Sequence, residues 1–66
     1  MNDVMDTDKR NALGRRIRIV LKHAPQPMTV EEIAARLKSA RSDVYEALSV
    51  SLHGWVSSTD NKFRLL

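Results

Sequence analysis

The chain has 66 residues, a formal net charge of +3 and no cysteine. This length suits one small domain with a minimal hydrophobic core, and the absence of cysteine excludes disulfide bonds and thiolate metal sites. No apolar run approaches the roughly 20 residues that span a bilayer, and the acidic residues 1–8 are unlike a secretory signal, so we expect a cytoplasmic protein.

The positive charge is concentrated in one segment. Residues 1–8 hold three aspartates and no base, residues 9–22 hold six lysines or arginines and no acid, and residues 23–66 hold five of each sign. Such a segment is typical of proteins that bind a polyanion. The alternative is the solvated outer face of an amphipathic helix. An acidic membrane surface is disfavoured because the apolar face of this helix is needed for the core.

Residues 1–7 are polar and without periodicity, which predicts a disordered N-terminus followed by a domain over residues 8–66. A first helix is predicted from Asp8 to His23, and Pro25 and Pro27 stop it. Its apolar positions recur at helical spacing and predict a buried stripe of Leu13, Ile17, Val20, Leu21 and Ala24. The opposite side carries Arg15, Arg18 and Lys22, which we expect to contact phosphates.

Two shorter helices follow. Thr29 and Glu32 have the spacing of a capping box, so a second helix is predicted over Val30–Lys38. A third is predicted over Arg41–His53, and Gly54 ends it in a left-handed conformation. The predicted inward positions are Val30, Ile33, Ala34 and Leu37 in the second helix, and Val44, Ala47, Leu48 and Leu52 in the third.

The C-terminal residues predict a two-stranded hairpin. Residues 55–58 and 62–65 alternate in character and flank a turn at residues 59–61. We expect Trp55, Phe63 and Leu65 to point inward, with Trp55 as a core anchor rather than a base-stacking platform. Lys62 and Arg64 then point outward.

Most of the chain resembles a known family. The stretches IVLK (residues 19–22) and PMTVEEIAARL (residues 27–37) look like the first two helices of the winged helix-turn-helix domains of bacterial and phage transcription regulators. The stretch RSDVYEAL (residues 41–48) looks like the recognition helix, and GWV (residues 54–56) like the entry to the wing. The resemblance implies a mostly α fold with a small β-hairpin, that is, three helices plus a two-stranded wing. The chain departs from the family at Lys38, where a glycine is usual.

The resemblance also implies a function. The third helix would enter the major groove of double-stranded DNA while the wing touches the backbone, and the protein would regulate transcription by occupying a site. Arg41 would face a guanine edge or remain solvated, and Tyr45 would touch the DNA backbone or a neighbouring subunit. The implied DNA contacts are Arg41, Ser42, Tyr45 and Ser49 on the third helix and Asn61, Lys62 and Arg64 on the wing.

A second class of function stays open. The third helix carries Asp43 and Glu46, and Glu46 is expected to point outward, where both carboxylates would repel phosphates. This favours a protein-interaction module on the same scaffold, with Tyr45 and Val50 exposed to a protein partner or a second copy. The chain has two histidines, no phosphate-cradling glycine loop and no nucleophile with a base partner. We therefore expect no enzyme activity, no metal and no cofactor.

Overall fold

The computed structural model describes residues 7–66, so residues 1–6 of the predicted disordered N-terminus lie outside the described residues. Thr7, which was predicted to be disordered, is instead the first residue of a helix. The described part is mostly helical and carries a small antiparallel sheet. Its elements in chain order are α1 (Thr7–His23), β1 (Met28–Thr29), α2 (Val30–Leu37), α3 (Arg41–Glu46), a π-helical segment (Ala47–Ser51), β2 (Val56–Thr59) and β3 (Lys62–Leu65). Over residues 7–66, no helix is both long enough and apolar enough to cross a membrane.

The start of α2 is fixed by the predicted capping box. The Glu32 N–H donates to Thr29 Oγ1 over 3.1 Å, and the Thr29 N–H donates to Glu32 Oε1 over 2.9 Å. A cap of this kind typically contributes ~1 kcal/mol. The prediction of a helix beginning at Val30 is confirmed.

The turn between α2 and α3 depends on one strained residue. Lys38 has φ 55° and ψ 44°, which is the left-handed conformation. The chain reverses here, and the N–H of Ser39 donates to the carbonyl of Ala34 over 3.0 Å. The left-handed backbone explains why a glycine suits this position.

The third helix is shorter than predicted and is not α-helical throughout. It changes after Glu46 into the π-helical segment, where the Leu52 N–H donates to the Ala47 carbonyl five residues back over 2.9 Å. It ends at Ser51 rather than His53. The wider turn directs both Ser51 and Leu52 toward α1. Gly14 permits this approach, since a Cβ there would lie 3.3 Å from Ser51 Cβ.

The sheet has three strands rather than the predicted two, in the order β1-β3-β2. Thr29 lies opposite Lys62 in β1, and Thr59 lies opposite the same residue in β2. The extra strand has only two residues, and Thr29 also caps α2, so no alternation marks it in the sequence. Asp60 and Asn61 form the tight turn with φ 54° and 65°, the positive values that a two-residue hairpin requires.

One hydrophobic core joins the three helices, and partly buried side chains of the sheet pack against it. Most predicted inward positions are confirmed, although Val20, Val30 and Leu37 are half-buried, and so is Ala24, which lies just beyond the end of α1. Trp55 is the exception, because it is 53% exposed. The buried hydrophobic residues of the described part are Leu13, Ile17, Leu21, Ile33, Ala34, Val44, Ala47, Leu48 and Leu52.

Candidate nucleic-acid interface

An open groove lies where the starts of α2 and α3 face β3 and the hairpin turn. Its volume is about 470 Å³. Four residues implied as DNA contacts line it, namely Arg41, Ser42, Tyr45 and Asn61, together with Val30, Glu31 and Phe63. Residues that are 20 positions apart in sequence thus meet at one surface, which we call the α3 groove.

Arg41 already has a partner at the rim of this groove. Its Nη1 lies 3.0 Å from Glu31 Oε2, and the two side chains are 68% and 63% exposed. An exposed pair of this kind contributes only ~0–1 kcal/mol. The guanidinium is therefore held loosely and remains within reach of a ligand.

Tyr45 is an exposed aromatic side chain of the groove. It is 60% exposed and lies one helical turn beyond Arg41. Ser49 is exposed a further turn along the helix, although it does not line the groove. Beyond Arg41, the exposed side chains of the third helix therefore include the hydroxyl groups of Ser42, Tyr45 and Ser49 and the apolar side chain of Val50.

Glu46 does not point outward as expected. Its Oε2 accepts a hydrogen bond from Arg10 Nη1 in α1 over 3.3 Å, and the Glu46 side chain is only 30% exposed. The prediction was wrong because the partner is 36 residues away and its charge cannot be paired from local spacing. One of the two carboxylates on the third helix is therefore neutralised by an arginine. Asp43 is half-buried in the first turn of α3.

The basic residues of α1 lie away from the α3 groove. Arg15, Arg18 and Lys22 are exposed, and none of them lines that groove. Arg15 and Arg18 instead border a shallow depression that α1 shares with the end of the π-helical segment. Lys22 borders another depression together with Arg64 of β3.

The expectation that Trp55 anchors the core is wrong. The hydrophobic residue of β2 that packs against the core comes one position later: it is Val56, which is half-buried and lies opposite Leu65. Trp55 remains outside the strand, and its carbonyl accepts a hydrogen bond from the Leu66 N–H over 3.0 Å. Its ring lies 4.4 Å from the guanidinium carbon of Arg18, a cation–π contact that sequence spacing did not reveal.

Lys62 and Arg64 are exposed on β3, whereas Phe63 and Leu65 are half-buried against the core, as predicted. Both basic side chains border a shallow depression beside Pro27 and Thr59. Of the three wing residues in the implied DNA site, only Asn61 reaches the α3 groove. Within residues 7–66, no group of three or more His, Asp or Glu side chains is arranged to hold a metal ion.

Comparisons with protein-family models, with curated proteins and with solved structures find no match for this chain.

Proposed function

We propose that this protein is a winged helix-turn-helix regulator that occupies sites on double-stranded DNA. The observation that carries the proposal is the α3 groove, where Arg41, Ser42 and Tyr45 of the third helix meet Asn61 of the hairpin turn. Three helices with a small antiparallel sheet are compatible with a winged-helix-like fold. A DNA-binding regulator of this class would work in the cytoplasm, without a cofactor or a catalytic step.

In this proposal the docking face consists of the exposed side of the third helix, which enters the major groove, and the hairpin turn with Asn61 and Lys62. Ser42, Tyr45 and Ser49 then donate hydrogen bonds to phosphates or base edges, and Arg41 exchanges Glu31 for a guanine edge. The hairpin turn reaches the neighbouring backbone with Asn61 and Lys62. Sequence preference would be modest, because only Arg41 offers the bidentate geometry that discriminates strongly.

The charge of the docking face supports this reading. Glu46 is paired with Arg10, which lowers the repulsion that a carboxylate on the third helix would impose on phosphates. The surplus bases of α1, including Arg15 and Lys22, add to a positive field that attracts DNA over a Debye length of about 10 Å. A single module buries roughly 600–1,000 Å² on DNA, so tight site occupancy would need two copies side by side.

The test is a fluorescence-anisotropy titration of a labelled random-sequence duplex at several salt concentrations. With two to four phosphate contacts, log affinity should fall with log salt at a slope of about −2 to −4. Tyr45→Ala and Lys62→Gln should each weaken binding. Arg36→Gln is the matched control for the charge change, because Arg36 is exposed near Pro25 and Pro27 rather than at the groove.

Two results would contradict the proposal. One is the absence of duplex binding at low salt. The other is equal weakening by Lys62→Gln and Arg36→Gln, because binding would then follow net charge rather than the proposed docking face.

A protein-interaction module is the second candidate. The observation in its favour is that Tyr45 and Val50, five residues apart on the third helical stretch, are 60% and 52% exposed and offer apolar surface to a partner. Sedimentation velocity over a range of concentrations tests for a homodimer. If Tyr45→Ala and Val50→Ser abolish self-association but leave duplex affinity unchanged, the interaction reading is favoured.

A further inference from the structure

A second polar surface lies on the side of α1 that faces the end of the π-helical segment. Asn11, Arg15 and Arg18 border a depression of about 270 Å³ together with Ser51 and Trp55. We call this surface the α1 flank. It shares no residue with the α3 groove, so it is free to bind a separate ligand.

The α1 flank presents two stacked planar groups. The Arg18 guanidinium carbon is 4.4 Å from the centre of the Trp55 ring, and Trp55 is 53% exposed. A core anchor would be buried, whereas this indole is held at the surface by an arginine. Nucleic-acid bases that are not paired stack on both aromatic rings and guanidinium planes.

The charge around this stack is positive. The sequence has no acidic residue between Asp8 and Glu31, and the Arg10–Glu46 and Arg41–Glu31 ion pairs leave Arg15, Arg18 and Lys22 out. Arg15 and Lys22 are seven residues apart, which is about 10 Å along the helix axis, and Arg18 lies between them. Lys22 in turn borders a depression with Arg64, so the basic track continues onto the sheet.

We propose that the α1 flank binds single-stranded nucleic acid. An unpaired base stacks on the Arg18–Trp55 pair, and the adjoining phosphates contact Arg15 and Lys22. A duplex is a poor ligand for this surface, because its base faces are covered by neighbouring base pairs, and a stacking platform then has no plane to contact. A single strand offers both the plane and the charge.

Trp55 is the only tryptophan of the chain, so its fluorescence reports on this surface alone. The first experiment titrates the protein at low salt with an oligothymidylate of about twelve nucleotides, which is within the usual range of binding-site lengths for single strands. We expect the emission to be quenched as the base stacks. A blunt duplex of the same length should quench it much less, and poly-glutamate should not quench it.

The second experiment measures variants with a fluorescently labelled oligothymidylate. Trp55→Leu should weaken binding at least about five-fold, the lower end of the effect of losing one stacked base. Trp55→Phe keeps a ring and should retain most of the affinity. Arg18→Gln should weaken binding more than the matched control Arg36→Gln. Circular dichroism with thermal denaturation checks that each variant is folded.

Tyr45→Ala separates this inference from the proposed duplex function. It should weaken duplex binding and leave oligothymidylate binding unchanged, whereas Trp55→Leu should do the reverse. The inference is overturned if the oligothymidylate does not quench Trp55 or if Trp55→Leu binds it as tightly as the wild type. Equal weakening of duplex and single strand by Trp55→Leu would also overturn it, and so would equal quenching by poly-glutamate. Failure of duplex binding with intact oligothymidylate binding would reject the proposed function alone.

Discussion

Replacing Arg10 with methionine removes the guanidinium that holds Glu46 against α1, while the apolar stem of the side chain is largely kept. In the wild-type protein, Arg10 Nη1 lies 3.3 Å from Glu46 Oε2, and the two side chains are 21% and 30% exposed. The substitution leaves a carboxylate without its partner. We expect Glu46 to turn toward solvent at the edge of the exposed face of the third helix, where its charge is hydrated.

The stability cost follows from the partial burial of the pair. Exposed ion pairs contribute ~0–1 kcal/mol, and breaking a buried pair costs ~3–5 kcal/mol. Because both side chains are partly buried, we expect a cost between these two cases, a loss of about 1–2 kcal/mol in the free energy of unfolding. Arg10 Nε is buried and has no hydrogen-bond partner within residues 7–66, so removing it recovers part of the desolvation cost. Each kcal/mol lowers Tm by about 4–8 °C in a domain of this size.

The same substitution should weaken duplex binding about ten-fold at low salt, because one positive charge is lost and one negative charge is released near the docking face. Glu46→Gln should leave duplex affinity unchanged or raise it slightly. The double variant should regain most of the affinity that Arg10→Met loses. Thermal denaturation by circular dichroism and duplex anisotropy titration give the two double-mutant cycles.

Two outcomes would refute this reasoning. If Arg10→Met weakens duplex binding equally with and without Glu46→Gln, the effect does not act through the released carboxylate. If the coupling energy in the stability cycle is below about 0.3 kcal/mol, within the range expected of independent sites, the ion pair does not stabilise the fold.

Three further substitutions test local features. Lys38→Gly should raise the free energy of unfolding by about 0.5–1 kcal/mol, because a left-handed lysine is strained and the glycine's extra unfolded-state entropy cancels only part of the gain. Thr29→Ala should lower it by ~1 kcal/mol through loss of the hydrogen bond from the Glu32 N–H. Glu31→Gln should raise duplex affinity several-fold at low salt, because it frees Arg41 and removes a negative charge, and should change stability by less than ~1 kcal/mol. Thermal denaturation checks the stability changes, and anisotropy titration checks the affinity.

A specific result would contradict each of these three predictions. A lower Tm for Lys38→Gly would mean that the lysine side chain stabilises the turn by more than its backbone strain costs. Thr59→Ala is the control for Thr29→Ala, because Thr59 is exposed in β2 and caps no helix; equal losses would show that capping is not the cause. The gain from Glu31→Gln should be smaller in an Arg41→Gln background, where only the removal of the negative charge still acts, and an undiminished gain there would exclude the proposed release of Arg41.

The parts of the fold that depend on neighbours in sequence could be predicted. The apolar spacing of α1 located Leu13, Ile17 and Leu21 in the core, and the Thr29–Glu32 pair located the start of α2. Gly54 has the expected left-handed conformation, with φ 85°, although the third helical stretch already ends at Ser51. Each of these features depends on side chains within one or two helical turns, so the residue order contains the necessary information.

The features that the sequence did not predict are contacts over long separations or short elements. β1 has two residues, too few for an alternating pattern, and it exists because β3 offers an unpaired edge. Trp55 lies one position before the first inward residue of β2, so a shift of one residue moved it from the core to the surface. The Arg10–Glu46 pair and the grouping of Tyr45 with Asn61 join elements that only the tertiary fold brings together.

The number of basic residues in segment 9–22 overestimates the number of phosphate contacts that the segment can make. Six bases in residues 9–22 would suggest a salt slope near −5 if all of them met phosphates. Arg10 is held by Glu46, and Arg16 Nη2 donates to the Leu37 carbonyl at the end of α2 over 3.3 Å. Arg18 stacks on Trp55. Because three of the six already have partners, the other three would contribute only about −3 to the slope, and a larger contribution from this segment would require Arg10 and Arg16 to leave their partners when DNA binds. The α1–α3 and α1–α2 contacts would then have to open, and the binding heat-capacity change would reveal that opening.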